Sequence, residues 1–146
     1  MTALSSVIRA QLLWPLAFLF FAGCSTIATF DPVAYDKATG AKAEALALVD
    51  HATESYATRA KDAEAVLLTV NKACEYDRGR SLNNITVKQW EILLDPNGHL
   101  FGGFVERWKA KGSLRSAYIA EKRPDIAEAF DQIIGLEIGK RRTGSN

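Results

Sequence analysis

From Asp31 onward the apolar positions recur at spacings of three and four. Ala41, Ala45, Leu48, Ala52, Tyr56, Ala60, Ala63, Leu67, Val70 and Cys74 therefore mark a single helical face. Asp31-Pro32 opens this series as an N-cap with proline at the first helical position, and Phe30 and Tyr35 are spaced for a hydrophobic staple across it. No proline interrupts the series and Gly40 is its only glycine. The pattern predicts one long N-terminal amphipathic helix, or a kinked pair meeting near Tyr56 to Lys61, ending at Arg78-Gly79. A continuous helix of that extent is roughly 70 Å long at about 1.5 Å per residue, more than the remaining chain covers fully. Alanine buries little area, so this face needs a partner to gain much stability. The protein's own C-terminal half is one such partner; another protein, or a second copy through self-association, is the other.

The C-terminal half supplies larger apolar groups. Thr86-Val87-Lys88-Gln89 reads as a capping box with Ile85 and Trp90 as its staple, and the helix it opens runs to Leu94. Asp95-Pro96-Asn97-Gly98 suits a type I turn position by position. Phe101, Phe104 and Trp108 share a face of the next helix, which Gly112 ends. Ser113 is placed to cap a short helix reaching Glu121, and Pro124 sets a boundary after it. A last helix carries Ile126, Phe130, Ile133, Ile134 and Ile138 and finishes in Lys140-Arg141-Arg142, cations suited to a helix C-terminus. Strand signals are nearly absent. The expected fold is all-α: the long helix or kinked pair, packed by three to four shorter C-terminal helices, with the main core between Trp90 and Ile138.

A different pattern precedes Asp31. One positive charge, Arg9, is followed by an apolar run from Leu12 to Ala22 broken only by Pro15 and then by small residues, the layout of a secretory signal peptide. The run is much shorter than the ~20 residues that span a bilayer. It ends in Ala22-Gly23-Cys24, which resembles the lipobox of bacterial lipoproteins, with Phe21 where that family usually has Leu or another aliphatic residue. The resemblance covers residues 1–25 only. It implies cleavage before Cys24 and a diacylglyceryl group on its sulfur, so that residues 1–23 are the signal peptide, 24–30 the lipidated N-terminus and a short tether, 31–142 the helical domain and 143–146 a tail. Each buried CH₂ contributes about 0.8 kcal/mol, so several acyl chains hold a protein firmly. In Gram-negative lipoproteins a residue other than Asp after the cysteine implies transfer to the outer membrane, and here that residue is Ser25. The implied location is the cell envelope, facing the periplasm.

Removal of residues 1–23 takes away one basic residue and no acidic one, leaving 17 of each sign. The signs are unevenly spread: residues 31–77 hold nine acidic and five basic groups, residues 107–146 nine basic and five acidic. This balance and the exported address both argue against nucleic acid as a partner. About 120 residues fit one domain. With Cys24 acylated, Cys74 has no disulfide partner, and its place on the apolar stripe predicts a buried, inert thiol.

Signatures of chemistry are sparse. His51 and His99 lack a second ligand at metal spacing, so no metal or cofactor is expected. Asp95 begins a stretch with a calcium-loop flavour, but Pro96, Leu100, Phe101 and Gly102 supply no side-chain oxygens. Glu54-Ser55 matches the catalytic dipeptide of some peptidoglycan-cleaving transglycosylases without that family's other motifs. An enzyme is not expected. Arg80-Ser81-Leu82-Asn83-Asn84 reads as a polar connection. Gly102-Gly103 points either to close packing on the alanine stripe or to a bend that opens a pocket. Two functions of different class follow: a lipid-anchored module that docks to an envelope protein, or a binding module for an anionic lipid or cell-wall component. The second would use Arg107, Lys109, Lys111 and Arg115 beside Trp108.

Overall fold

A computed structural model describes residues 27–143; Cys24 and Ser25 lie outside the described residues. The domain is all-α, with five helices and no strand among those residues. In chain order they are α1 (Pro32–Asp50), α2 (Tyr56–Arg78), α3 (Asn84–Leu94), α4 (Phe101–Lys111) and α5 (Ser116–Thr143). α1 packs along both α2 and α5, α3 bridges α2 and α5, and α4 closes against α2 and α3.

α1 starts as expected, with the Asp31 carboxylate accepting from the N–H groups of Val33 and Ala34 and Pro32 at the first helical position. Tyr35 is 37% exposed, and the Phe30 ring lies under the Arg141 guanidinium at 4.0 Å. The single long helix is replaced by two, and the break falls at residues 51–55, just before the expected meeting point. Neither Gly nor Pro marks that break. It is held from outside: the Tyr56 N–H donates to the Gly112 carbonyl at 2.6 Å, and the Leu114 N–H donates to the Ala52 carbonyl at 2.9 Å. The reversal folds the alanine stripe onto itself and onto α5. Ala41, Ala45, Ala52 and Ala63 are all fully buried, while Tyr56, Ala60 and Leu67 of the same series are half-buried.

The aromatic core forms where expected. Trp90, Trp108, Phe101, Phe104, Phe130, Ile126 and Ile133 are all buried, with Trp90 and Phe101 both against the Phe130 ring. Asp95 makes its turn, Gly98 N–H donating to the Asp95 carbonyl and Asn97 N–H to the Asp95 carboxylate. Gly112 ends α4 with φ +75°, a left-handed conformation that glycine adopts without steric cost. Gly102 and Gly103 pack against the end of α3 and the turn after it, not against the alanine stripe. A Cβ on Gly102 would collide with the Leu94 carbonyl, and one on Gly103 with the Gly98 carbonyl. The pair thus lets α4 press directly on the end of α3 and the turn behind it.

Two boundaries differ from expectation. α3 begins at Asn84 rather than behind a Thr86 cap, because Thr86 is buried and Ile85 is 60% exposed. α5 begins at Ser116, beyond Ser113, and runs through Pro124. The bond that proline cannot donate would have gone to the Ala120 carbonyl, and both residues lie on the exposed side of α5, where that oxygen is open to solvent.

Candidate functional site

The chemistry of this domain concentrates where the chain first joins the fold. At the end of α2, Asp77 is buried; its Oδ1 accepts from Arg80 at 2.9 Å and from the Asn83 amide at 2.8 Å, and its Oδ2 accepts from the Trp90 indole N–H at 2.7 Å. Near the end of α5, Glu137 is buried as well. Its Oε2 accepts from Arg80 at 2.8 Å and Lys140 at 2.5 Å, and its Oε1 from the Asp31 backbone N–H at 2.6 Å. Lys140 also donates to Asn83 Oδ1 at 2.6 Å. Two carboxylates and two cations thus interlock α2, the connection after it and α5. Every buried side-chain nitrogen and oxygen among the described residues has a partner, as a desolvated charge cluster requires.

Burial pushes the Glu137 carboxyl upward, but the bonds from Arg80, Lys140 and Asp31 N–H outweigh it and hold the group below its usual range. The Tyr76 hydroxyl, donating to Asp31 at 2.7 Å, is the main cause of the lowered Asp31 carboxyl, and the same bond raises Tyr76. Burial lowers Arg80, while Glu137 and Asp77 raise it further. All of these shifts favour the ionised carboxylates and the charged guanidinium.

The cluster grips the incoming chain. Arg80 donates to the Thr29 carbonyl at 2.5 Å, Ala28 N–H donates to the Leu82 carbonyl at 3.1 Å, and Asp31 is held by Glu137. The tether expected over residues 24–30 is consequently bound to the domain from Ala28 on. Beside it, between α3 and α5, lies an open groove of about 580 Å³ lined by Ile27, Leu82, Ile85 and Leu136, with Gln89 and Gln132 alongside. Gly135 and Gly139 shape one wall, since a Cβ on either would meet nothing within 4 Å. The volume falls within the ~300–1,000 Å³ of small-molecule sites.

The polar connection Arg80 to Asn84 contributes Arg80 and Asn83 to this buried cluster, Lys140 joins it instead of serving as a solvated helix-terminal cation, and Asp77 and Glu137 are members that the sequence reading does not single out. A signal for them existed. The apolar register Ile126, Phe130, Ile133 continues to Glu137 and Lys140, and Val70, Cys74 continues to Asp77, so charged groups occupy core positions in phase. Ile138, assigned to the core face, is instead 38% exposed.

The basic group Arg107, Lys109, Lys111 and Arg115 does not gather around Trp108. Arg107, Lys109, Lys111 and Arg115 are exposed, but Trp108 is fully buried, its indole N–H donating to the Glu54 carbonyl and its ring edge-on to Tyr56. Arg107 covers the Tyr118 ring. With no aromatic beside them, Lys109 and Lys111 serve as solvated charges, and reversing both to Glu is expected to change stability by less than about 1 kcal/mol with helix content intact. Urea denaturation followed by circular dichroism checks this; a larger loss would show that the lysines hold the fold.

The other sequence candidates resolve simply. Glu54 sits in an exposed triad with Arg59 and His51, which lowers its carboxyl to about 2, the opposite of what a general acid needs. Cys74 is a buried thiol raised by desolvation, with Arg78 beside it. No group of three or more potential metal ligands occurs among the described residues, and no helix there is long and apolar enough to cross a membrane. No protein-family model, curated protein or solved structure matches the chain.

Proposed function

We propose that the chain is a lipid-anchored helical module of the bacterial cell envelope, held by a diacylglyceryl group on Cys24, that acts by contact with an envelope partner rather than by catalysis. The observation that supports this most directly is one of position. Cys24 ends an apolar run behind Ala22-Gly23 and stands four residues before Ala28, the first buried residue of the described helical core. An anchor at that point holds the domain at the membrane surface. Ser25 after the cysteine fits delivery to an outer membrane in a Gram-negative cell.

Metabolic labelling with a palmitate analogue is expected to mark the wild-type protein and to leave Cys24→Ala unlabelled, since the thiolate at that position is the acceptor. Equal labelling of both proteins would reject the anchor.

A further inference from the structure

The short chain between the anchor and the fold constrains which surface faces the membrane. Ser25 and Thr26 are the residues between Cys24 and Ile27. At about 3.8 Å per Cα step, Ile27 lies no more than roughly 11 Å from the acylated residue. Nor does slack exist farther along, because Ala28, Thr29, Phe30 and Asp31 are each bonded or stacked to Leu82, Arg80, Arg141 and Glu137. Whatever surrounds Ile27 is therefore brought to the lipid headgroups.

The surroundings of Ile27 are apolar. Leu82 is 54% exposed and Ile85 60%, and both line the same groove as Ile27. Ile92, 55% exposed, continues the outer face of α3 one heptad beyond Ile85, with the exposed Lys88 between them. Isolated exposed aliphatics are ordinary. Here they cluster beside a 580 Å³ apolar groove at the chain's point of attachment. Apolar side chains with an interspersed lysine are what an interfacial helix presents to a bilayer containing anionic lipid.

Resting on the lipid anchor proposed above, we infer that the face formed by Leu82 and by Ile85 and Ile92 of α3 lies in the bilayer interface, with the groove between α3 and α5 open to an acyl chain. The tether decides for lipid over other occupants. It holds the bilayer beside this face permanently, whereas a second copy or a soluble partner must arrive by diffusion and fit into the same narrow space.

The test uses the full-length protein purified in acylated form and placed in vesicles of phosphatidylethanolamine and phosphatidylglycerol. An environment-sensitive fluorophore is attached through Ile85→Cys, and in a second protein through Lys111→Cys beside Gly112, at the end of the domain where α1 turns into α2. Cys74 is buried, so the introduced thiol is the one labelled. Intact mass first establishes the diacylglyceryl group. Lipids carrying a nitroxide on the acyl chain are expected to remove most of the emission at position 85, with a blue shift, and little at position 111. Equal emission at both positions on acylated protein would overturn this orientation while leaving the anchor standing. A mass without lipid would overturn the anchor and the orientation together. A blue shift that follows protein density and resists the nitroxide would assign the face to a second copy and overturn it too.

Discussion

Glu137→Ala is expected to lower the free energy of unfolding by about 3 to 5 kcal/mol, the cost of breaking a buried ion cluster by removing one partner. The loss is large because Glu137 serves three donors together. Without it Arg80 and Lys140 remain desolvated with one carboxylate fewer, and the Asp31 N–H loses its acceptor. Urea denaturation measures the change, and a loss below about 1 kcal/mol would mean that the cluster is solvated. The same group predicts a pH dependence with a defined sign. The folded-state values of Glu137 and Asp31 lie below their ordinary 4.5 and 3.8, so near those values the unfolded chain binds more protons than the folded one. Stability is therefore full above about pH 5 and falls as the pH drops through the folded-state values. Glu137→Gln should flatten that decline. A wild-type protein whose stability is level or rises from pH 6 to pH 3 would contradict the assignment.

Trp90→Ala is expected to cost a comparable 3 to 5 kcal/mol, roughly, for loss of a fully buried aromatic ring. The ring packs edge-on against Phe130 at 5.9 Å between centroids and reaches Asp77 with its indole N–H. Trp90→Phe separates the two contributions, because it keeps most of the apolar contact and removes the donor. Its expected cost is about 1 to 3 kcal/mol, from a buried carboxylate oxygen left short of one bond. Thermal or urea unfolding of both variants checks the order. A Phe variant as damaging as the Ala variant would place the whole effect in the hydrogen bond.

Both substitutions act on the joint between the incoming chain and the bundle, so they bear on function as well as stability. Loss of Glu137 leaves the Asp31 N–H without its acceptor and weakens the hold of Arg80 on Thr29, loosening the chain that precedes α1, while Tyr76 still holds the Asp31 carboxylate. In an acylated protein that added slack would relax the orientation of α3 at the bilayer.

Much of the local structure was legible in the residues. Asp31-Pro32 start a helix, Gly112 stops one, and the turn at Asp95 forms as its residue types demand, because each effect acts within a few bonds. The aromatic core was legible too, since Phe101, Phe104 and Trp108 recur with helical period beside Trp90 and Phe130. What misled was context. Thr86 has the chemistry of a cap, yet its hydroxyl is buried against Lys140, a partner 54 residues away. Trp108 stands among four cations in sequence, yet its helix turns it inward while theirs stay outside.

The sequence by itself determined an all-helical chain, the termini of its best-capped helices, a core rich in aromatic groups, and the place of Cys24 at the end of an apolar run. These depend on periodicity and on side chains acting on their own backbone. Tertiary structure alone decided that the first helix folds back at residues 51–55, that α5 passes through Pro124, and that Asp77, Arg80, Glu137 and Lys140 meet. The physical reason is common to all three. The Gly112 and Leu114 backbone groups that hold the break, the packing that leaves Ala120 and Pro124 on the outside of α5, and the meeting of Arg80 with Glu137 across 57 positions are set only when the helices pack.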